Sequence, residues 1–126
     1  MAKVTVRIAS NFERNLDAIR DFLAEQGASA PFTGLVESVV LRLVPMLESH
    51  PRVGRDWMLR TPLTAKGRAL RARIKVKLGN ARELREFVLD DYLVLYSIDG
   101  SVLTLLAVRH HRQLTFDVSS GRSDRT

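Results

Sequence analysis

Two arginines and two histidines stand side by side near the C-terminus, in the run Arg109-His110-His111-Arg112-Gln113. The run follows residues 102–108, an apolar segment whose pattern is typical of a β-strand. Side chains alternate between the two faces of a strand, so neighbouring members of the run should point in opposite directions. Imidazole titrates near neutral pH and guanidinium matches the geometry of phosphate oxygens, so either face of this strand end is suited to binding a phosphate.

The sequence offers no other recognisable catalytic or metal-binding pattern. It contains no cysteine, which excludes disulfides and thiolate chemistry. Its three histidines, His50, His110 and His111, lack metal-ligand spacing, and its glycines are too scattered for a phosphate-binding loop. We therefore predict no metal and no cofactor. Plain solvated surface remains the simpler alternative for the run of arginines and histidines.

Positive charge is concentrated in the middle of the chain. The 126 residues carry a formal net charge of +6, and residues 52–82 hold half of the twenty basic residues with a single acid, Asp56. Such segregation predicts an acidic partner, either nucleic acid or an acidic protein segment, although a solvated surface explains it equally well. The candidate binding residues are Arg52, Arg55, Lys66, Arg68, Arg71, Arg73, Lys75 and Lys77.

The N-terminal half predicts a strand followed by two helices. Apolar residues alternate over 4–8, as in a half-buried strand, and Ser10 with Glu13 forms a potential capping box at a helix start. A second helix with a broad apolar stripe follows Pro31, and we expect Pro45 to end or kink it. The two helices should form an antiparallel hairpin.

The C-terminal half predicts three strands, over residues 84–89, 92–98 and 101–108. They are joined by Asp90-Asp91 and by Asp99-Gly100, which is a strong hairpin signal. We predict one α+β domain over residues 1–116, in which an N-terminal strand and a two-helix hairpin pack on an antiparallel β-sheet. A basic insert at about residues 59–82 is interpreted as a short helix, although residues 71–78 also alternate charged and apolar residues as a strand would. Residues 117–126 are interpreted as a flexible tail.

The order of these elements and four short motifs resemble the RelE/ParE superfamily of toxins from type II toxin-antitoxin systems. The motifs are His50-Pro51-Arg52-Val53-Gly54-Arg55, Leu84-Arg85-Glu86-Phe87, Asp91-Tyr92-Leu93-Val94-Leu95-Tyr96 and Val108-Arg109-His110-His111-Arg112-Gln113. The resemblance spans nearly the whole predicted domain, although the linker over 56–82 is longer and more basic than the family's usual loop. It implies a small basic protein held inactive by a co-expressed antitoxin, whose extended and often acidic C-terminal segment wraps the toxin.

The superfamily implies two possible targets. RelE-like members cut mRNA in the ribosomal A site, ParE-like members poison DNA gyrase, and a shared fold cannot choose between them. Metal-free RNA cleavage needs a base, an acid and cations around one phosphate. The candidates are His110 and His111 as base or acid, and Arg85, Arg109 and Arg112 as the cationic clamp. The Pro-Arg-x-Gly turn and the Tyr-Leu-x-x-Tyr strand look more like the ParE-like branch, so gyrase is the preferred target.

A third alternative is a non-toxic nucleic-acid-binding module that grips phosphates through the insert. Tyr92 and Tyr96 are interpreted as core residues rather than catalytic ones. No apolar stretch in the sequence approaches the roughly 20 residues of a membrane span. No signal-peptide core follows the first residues, so we expect a soluble, cytoplasmic protein.

Overall fold

The computed structural model describes residues 3–56, 68–69, 72–73 and 83–110. The described strands form one five-stranded sheet in the order β1-β5-β4-β3-β2. These strands are β1 (Thr5–Ile8), β2 (Arg55–Asp56), β3 (Glu83–Leu89), β4 (Tyr92–Asp99) and β5 (Val102–His110). β1 runs parallel to β5, whereas the other neighbours are antiparallel. The predicted α+β architecture is confirmed, with a mixed rather than wholly antiparallel sheet.

The turns between the last three strands lie where the sequence predicts them. Asp90 links β3 to β4 with φ 54°, and Gly100 links β4 to β5 with φ 62°. Aspartate tolerates this left-handed region better than most residues, and glycine adopts it freely. These two tight turns keep β3, β4 and β5 in register as a meander.

The helices follow β1 directly. They are α1 (Ser10–Glu25), α2 (Ser29–Ser38) and α3 (Val44–Ser49), with a π-helical turn (Val39–Leu43) joining the last two. α1 packs against α2 and β5, as expected for a hairpin lying on the sheet. The predicted capping box is wrong, because Ala9 is the N-cap residue and no side chain bonds the helix start.

The second helical stretch continues past Pro45. Proline lacks a backbone N–H, and its ring clashes with the carbonyl four residues earlier in a regular α-helix. The π-helical turn widens the helix immediately before Pro45, so the chain accommodates the ring and stays helical to Ser49. Of the two outcomes expected at Pro45, an end or a kink, the end does not occur, because a local change in helix type absorbs the proline.

The core lies between the helices and one face of the sheet, which we call the helix face. Its buried apolar side chains are Phe12, Leu35, Val39, Leu43, Leu47, Leu89, Val94, Tyr96, Ile98, Leu103, Leu105 and Val108. The opposite face, here the second face, is also buried at Leu84, Leu95 and Ala107. Because strand residues alternate between faces, Glu86 and Arg109 belong to this second face.

The helical stretch Ser29–Ser49 is more apolar than we expect from the sequence pattern. It has 21 residues and contains an 18-residue window with a mean hydropathy of 1.4, which is enough to cross a membrane by length and composition alone. A core helix of a soluble protein passes the same test, and here every fourth residue from Leu35 to Leu47 packs into the core. The predicted absence of such a stretch was wrong. Packing accounts for the buried residues of this helix, whereas Val40 and Leu41 are exposed.

The basic insert is described at four positions. Arg68, Ala69, Ala72 and Arg73 are helical, in agreement with the predicted short helix. The remainder of the insert, and the predicted tail at 117–126, lie outside the described residues.

Candidate functional site

Tyr96 of β4 forms hydrogen bonds with the turn that follows α3. The Tyr96 side chain is fully buried, and its hydroxyl donates to the Pro51 carbonyl at 2.8 Å while accepting from the Gly54 N–H at 2.9 Å. Burial raises the pKa of this hydroxyl above its usual value, against smaller opposing effects of the Gly54 N–H and Arg85. Tyr96 is therefore a protonated structural residue, as predicted, and is poorly suited to act as a base.

Arg85 bonds the same turn from β3. Its guanidinium donates to the carbonyls of Arg52, at 3.2 Å, and of Gly54, and it pairs with Glu83. Glu83 also accepts from the guanidinium of Arg52 at 3.1 Å. One carboxylate thus bridges two arginines that lie on different elements. We call Tyr96, Arg85, Glu83 and the turn residues Arg52 and Gly54 the turn latch.

The Glu83 carboxylate makes the stability contributed by the turn latch dependent on pH. Partial burial raises the pKa of Glu83, but the hydrogen bonds and charges of Arg85 and Arg52 together outweigh this effect and hold the pKa below its ordinary value of 4.5. A carboxyl group whose pKa is lowered by folding stabilises the protein above its unfolded pKa, and this stability is lost as the pH falls through the folded pKa.

We expect Glu83→Gln to reduce the loss of unfolding free energy that the protein shows at acid pH. Wild-type stability should fall more steeply than that of the variant once the pH drops below about 4.5, because only the wild type must protonate a stabilised carboxylate. Urea melts at pH 6.5 and at pH 3.5 measure the difference. Equal losses of stability in the two proteins would contradict a stabilising role for this carboxylate.

A second ion pair joins β2 to β3. Arg55 donates to the carboxylate of Glu86 at 2.7 Å, and the Glu86 side chain is only 1% exposed whereas that of Arg55 is 64% exposed. A buried carboxylate is costly when it loses a charged partner, so Arg55 has a structural function in addition to any binding function. The exposed pair of Arg42 with Asp90, at 3.2 Å, offers a natural comparison.

We expect Arg55→Ala to destabilise the protein by about 1–3 kcal/mol, since it leaves the buried Glu86 with one hydrogen-bond donor fewer. Arg42→Ala should cost no more than about 1 kcal/mol, because both partners of that pair are more than half exposed. Urea denaturation of the two variants tests this order, and equal effects would argue against a structural role for Arg55.

The C-terminal end of β5 places Arg109 and His110 on opposite faces of the sheet. His110 is partly buried and its ring meets Tyr92 edge-on, with ring centroids 5.4 Å apart and an interplanar angle of 83°. Arg109 is only 5% exposed and donates to the His110 carbonyl at 3.2 Å. The alternation expected from the sequence is present, but only His110 is partly open to solvent.

The structure does not bring Arg85 close to His110. Arg85 pairs in register with Tyr96, and His110 pairs with Tyr92, so they lie two strands apart and four residues apart along β4. Strand spacings of about 4.8 Å and about 3.3 Å per residue place their Cα atoms roughly 16 Å apart. The remaining members of the predicted clamp and acid-base set, His111 and Arg112, lie outside the described residues.

The structure describes four of the eight predicted binding residues. Arg52 and Arg55 are exposed but paired with carboxylates of β3, and Arg68 and Arg73 are exposed helical residues of the insert. The others, Lys66, Arg71, Lys75 and Lys77, lie outside the part of the chain that the structure describes. Within that part, histidines and carboxylates form no cluster suited to a metal ion.

Sequence reasoning missed three residues that organise this region. Gly54 has no room for a side chain, since an added Cβ would lie 2.6 Å from the Tyr96 hydroxyl and 2.8 Å from the Glu86 carbonyl. Asn11 and Asn15 bond the backbone of β5 from α1. The glycine stood in a motif quoted for the resemblance, whereas the asparagines carried no sequence signal beyond their four-residue spacing.

These features define a class of small basic α+β proteins, in which a helical hairpin packs on a sheet and the chain turns back through an Arg-Val-Gly segment. A family model described as the ParE toxin of type II toxin-antitoxin systems, parDE, matches residues 6–115. The chain therefore belongs to the ParE toxin family, and this membership implies a cognate antitoxin as partner. No significant match was found among curated proteins.

Proposed function

We propose that this toxin arrests bacterial growth by poisoning DNA gyrase rather than by cutting mRNA. The observation that carries the proposal is the separation of the candidate nuclease residues. Arg85 and His110 stand on different strands at different levels of the sheet, and Arg109 lies on the face opposite to His110. These three side chains do not converge on one point.

Metal-free RNA cleavage needs catalytic side chains that converge on one phosphate and its neighbouring oxygens. The base and the acid must come within hydrogen-bonding reach of the atoms they protonate or deprotonate, roughly 3 Å, while cations contact the same phosphate. Here Arg85 is already bonded to Glu83 and to the Gly54 carbonyl. The Tyr96 hydroxyl is buried, bonded at both lone-pair and proton positions, and holds its proton. Neither group is poised for acid-base chemistry.

Gyrase poisoning, as the family resemblance implies it, requires a binding surface instead of a base and an acid. The partly exposed end of β5 and the exposed Arg68 and Arg73 of the insert offer such a surface. The positive charge of Arg68 and Arg73 suits a target that is bound to DNA, because basic side chains bind phosphates without regard to base sequence. An acidic antitoxin segment would neutralise the toxin by covering the same positive surface.

The RelE-like alternative rests on His110. Its imidazole is partly exposed and lies next in sequence to His111 and Arg112, so a nuclease site confined to this strand end stays open as the second candidate. Such a site predicts that His110→Ala or His111→Ala abolishes RNA cleavage in a protein that remains folded. Unchanged cleavage in both variants would contradict it.

Two reactions run with the same purified protein separate the candidates. In the first, the toxin is mixed with gyrase, ATP and supercoiled plasmid, and linear DNA is measured after detergent and protease treatment. In the second, it is mixed with ribosomes programmed with mRNA, and cleavage is mapped by primer extension. We expect linear DNA in the first reaction and intact mRNA in the second. Cleaved mRNA with no linear DNA would overturn the proposal, and inactivity in both reactions would favour a non-toxic binding module.

A further inference from the structure

One residue of β5 has no partner in β4. Leu95 pairs with Ala107 and Tyr96 pairs with Leu105, which leaves Leu106 between two consecutive pairs. This is a β-bulge, in which an extra residue on one strand shifts the alternation of faces for everything that follows. Leu105 before the bulge and Val108 after it consequently both pack in the core on the helix face.

The bulge also turns an additional carbonyl toward α1. The Leu105 carbonyl accepts from the Ala9 N–H at 2.9 Å, and the Leu106 carbonyl accepts from the side-chain amide of Asn11 at 3.0 Å. Consecutive carbonyls of a regular strand point to opposite edges, whereas these two point to the same edge. β1 ends at Ile8, which pairs with Leu105, so backbone groups beyond that point need another partner.

Asn15 supplies the next bond along this edge. It is 8% exposed, and its side-chain oxygen accepts from the Val108 N–H at 3.0 Å and from the Asn11 amide at 3.4 Å. Asn11 and Asn15 are one helical turn apart, so their side chains lie on one face of α1. Together they form hydrogen bonds with the backbone edge of β5 beyond the point where β1 ends.

We infer that Asn11 and Asn15 are positioning residues that hold the Leu106 bulge and thereby decide which face of the sheet carries Arg109 and which carries His110. In a ladder without the bulge, every residue after Leu105 moves by one position relative to β4. Tyr92 would then pair with Arg109 instead of His110, and the two side chains would exchange faces. The functional relevance of this inference rests on the proposed function, in which the C-terminal end of β5 contacts the target.

The first test changes the acceptor on Asn15 and follows the strand end by NMR of the full-length, isotope-labelled chain. Asn15→Leu has a similar size but no acceptor, and we expect it to lose the ring contacts between His110 and Tyr92. Exchange of the Val108 amide should accelerate at least about tenfold, the consequence of one lost hydrogen bond. Asn15→Asp keeps an accepting oxygen and should retain both signals. Ala18→Leu, at an exposed position of α1, is the matched control and should change neither.

The second test removes the bulge itself. Deleting Leu106 preserves the pairing of Leu95 with Ala107 and of Tyr96 with Leu105, but no extra carbonyl then faces α1. In this background, Asn15→Leu should leave the contact between His110 and Tyr92 intact. If Asn15→Leu alone fails to fold, folding of the variant that also lacks Leu106 supports the inference, and failure of both overturns it.

An unchanged ring contact and unchanged Val108 exchange in Asn15→Leu would overturn the inference directly. Growth arrest by the wild-type protein is measured separately in the same study. A wild type that arrests no growth contradicts the proposed function, whereas the NMR signals report on the bulge regardless of that result.

Discussion

Gly54→Ala is expected to lower the free energy of unfolding by about 2–4 kcal/mol, combining overpacking with the loss of a buried hydrogen bond. The added Cβ would lie 2.6 Å from the Tyr96 hydroxyl, 2.9 Å from a Tyr96 ring carbon and 2.8 Å from the Glu86 carbonyl. The tyrosine is fully buried and the carbonyl belongs to β3, so neither neighbour can move aside easily. Urea denaturation of the two proteins measures the loss.

Gly34→Ala is the matched control. Gly34 lies on an exposed position of α2, and no atom is within 4 Å of the Cβ that the substitution would add. Alanine is favoured over glycine inside a helix by roughly 0.5–1 kcal/mol, so this variant should be slightly more stable than the wild type. The two substitutions are chemically identical, but they should change the free energy of unfolding in opposite directions. A Gly54→Ala variant as stable as the wild type would contradict the close contact with Tyr96.

The second large effect is expected for Arg85→Met, which should destabilise the protein by about 2–4 kcal/mol. The substitution keeps much of the apolar length of the side chain but removes the donor to the Arg52 and Gly54 carbonyls and the charge beside Glu83. Arg20→Met is the control, because the pairs that Arg20 forms with Asp17 and Asp21 on α1 are exposed. The control variant should lower the free energy of unfolding by less than about 1 kcal/mol.

The same variant separates the two roles predicted for Arg85. If Arg85 is structural, growth arrest should decline only as far as the folded fraction declines, and lowering the temperature should restore both. If Arg85 contacts the target or the reacting phosphate, Arg85→Met would lose growth arrest while remaining folded. That second result would count against the turn latch as the main function of this arginine.

The sequence predicted the meander well because its signals are local. Strands β3 to β5 follow apolar segments, and the turns at Asp90 and Gly100 coincide with Asp-Asp and Asp-Gly pairs. Each of these signals lies within a few residues of the structure it specifies. The resemblance to RelE/ParE toxins added the order of the elements, and the family match over residues 6–115 confirms it.

Features without a local sequence signal were beyond sequence reasoning. The path of the helix through Pro45 depends on a π-helical turn, which no residue in the segment signals by its type alone. The bulge at Leu106 depends on bonds from Asn11, 95 positions earlier in the chain. The closeness of Gly54 to Tyr96 likewise spans 42 positions. Local propensity cannot report such contacts, because tertiary packing creates them.

The candidate site was predicted in part. Strand alternation predicted that Arg109 and His110 lie on opposite faces, though not which face each takes, and the structural role of Tyr96 was correctly anticipated. The distance between Arg85 and His110 was not foreseeable, because it depends on strand order and register across the sheet rather than on either motif. The roles of His111 and Arg112 stay predictions.

The most direct test of the central claim is tightly controlled induction of the protein in a bacterial host that lacks its antitoxin, with DNA and protein synthesis pulse-labelled separately. A gyrase poison should reduce DNA synthesis first, and the cells should filament while protein synthesis continues. The account predicts that order of events. A primary fall in protein synthesis, or undisturbed growth, would contradict it.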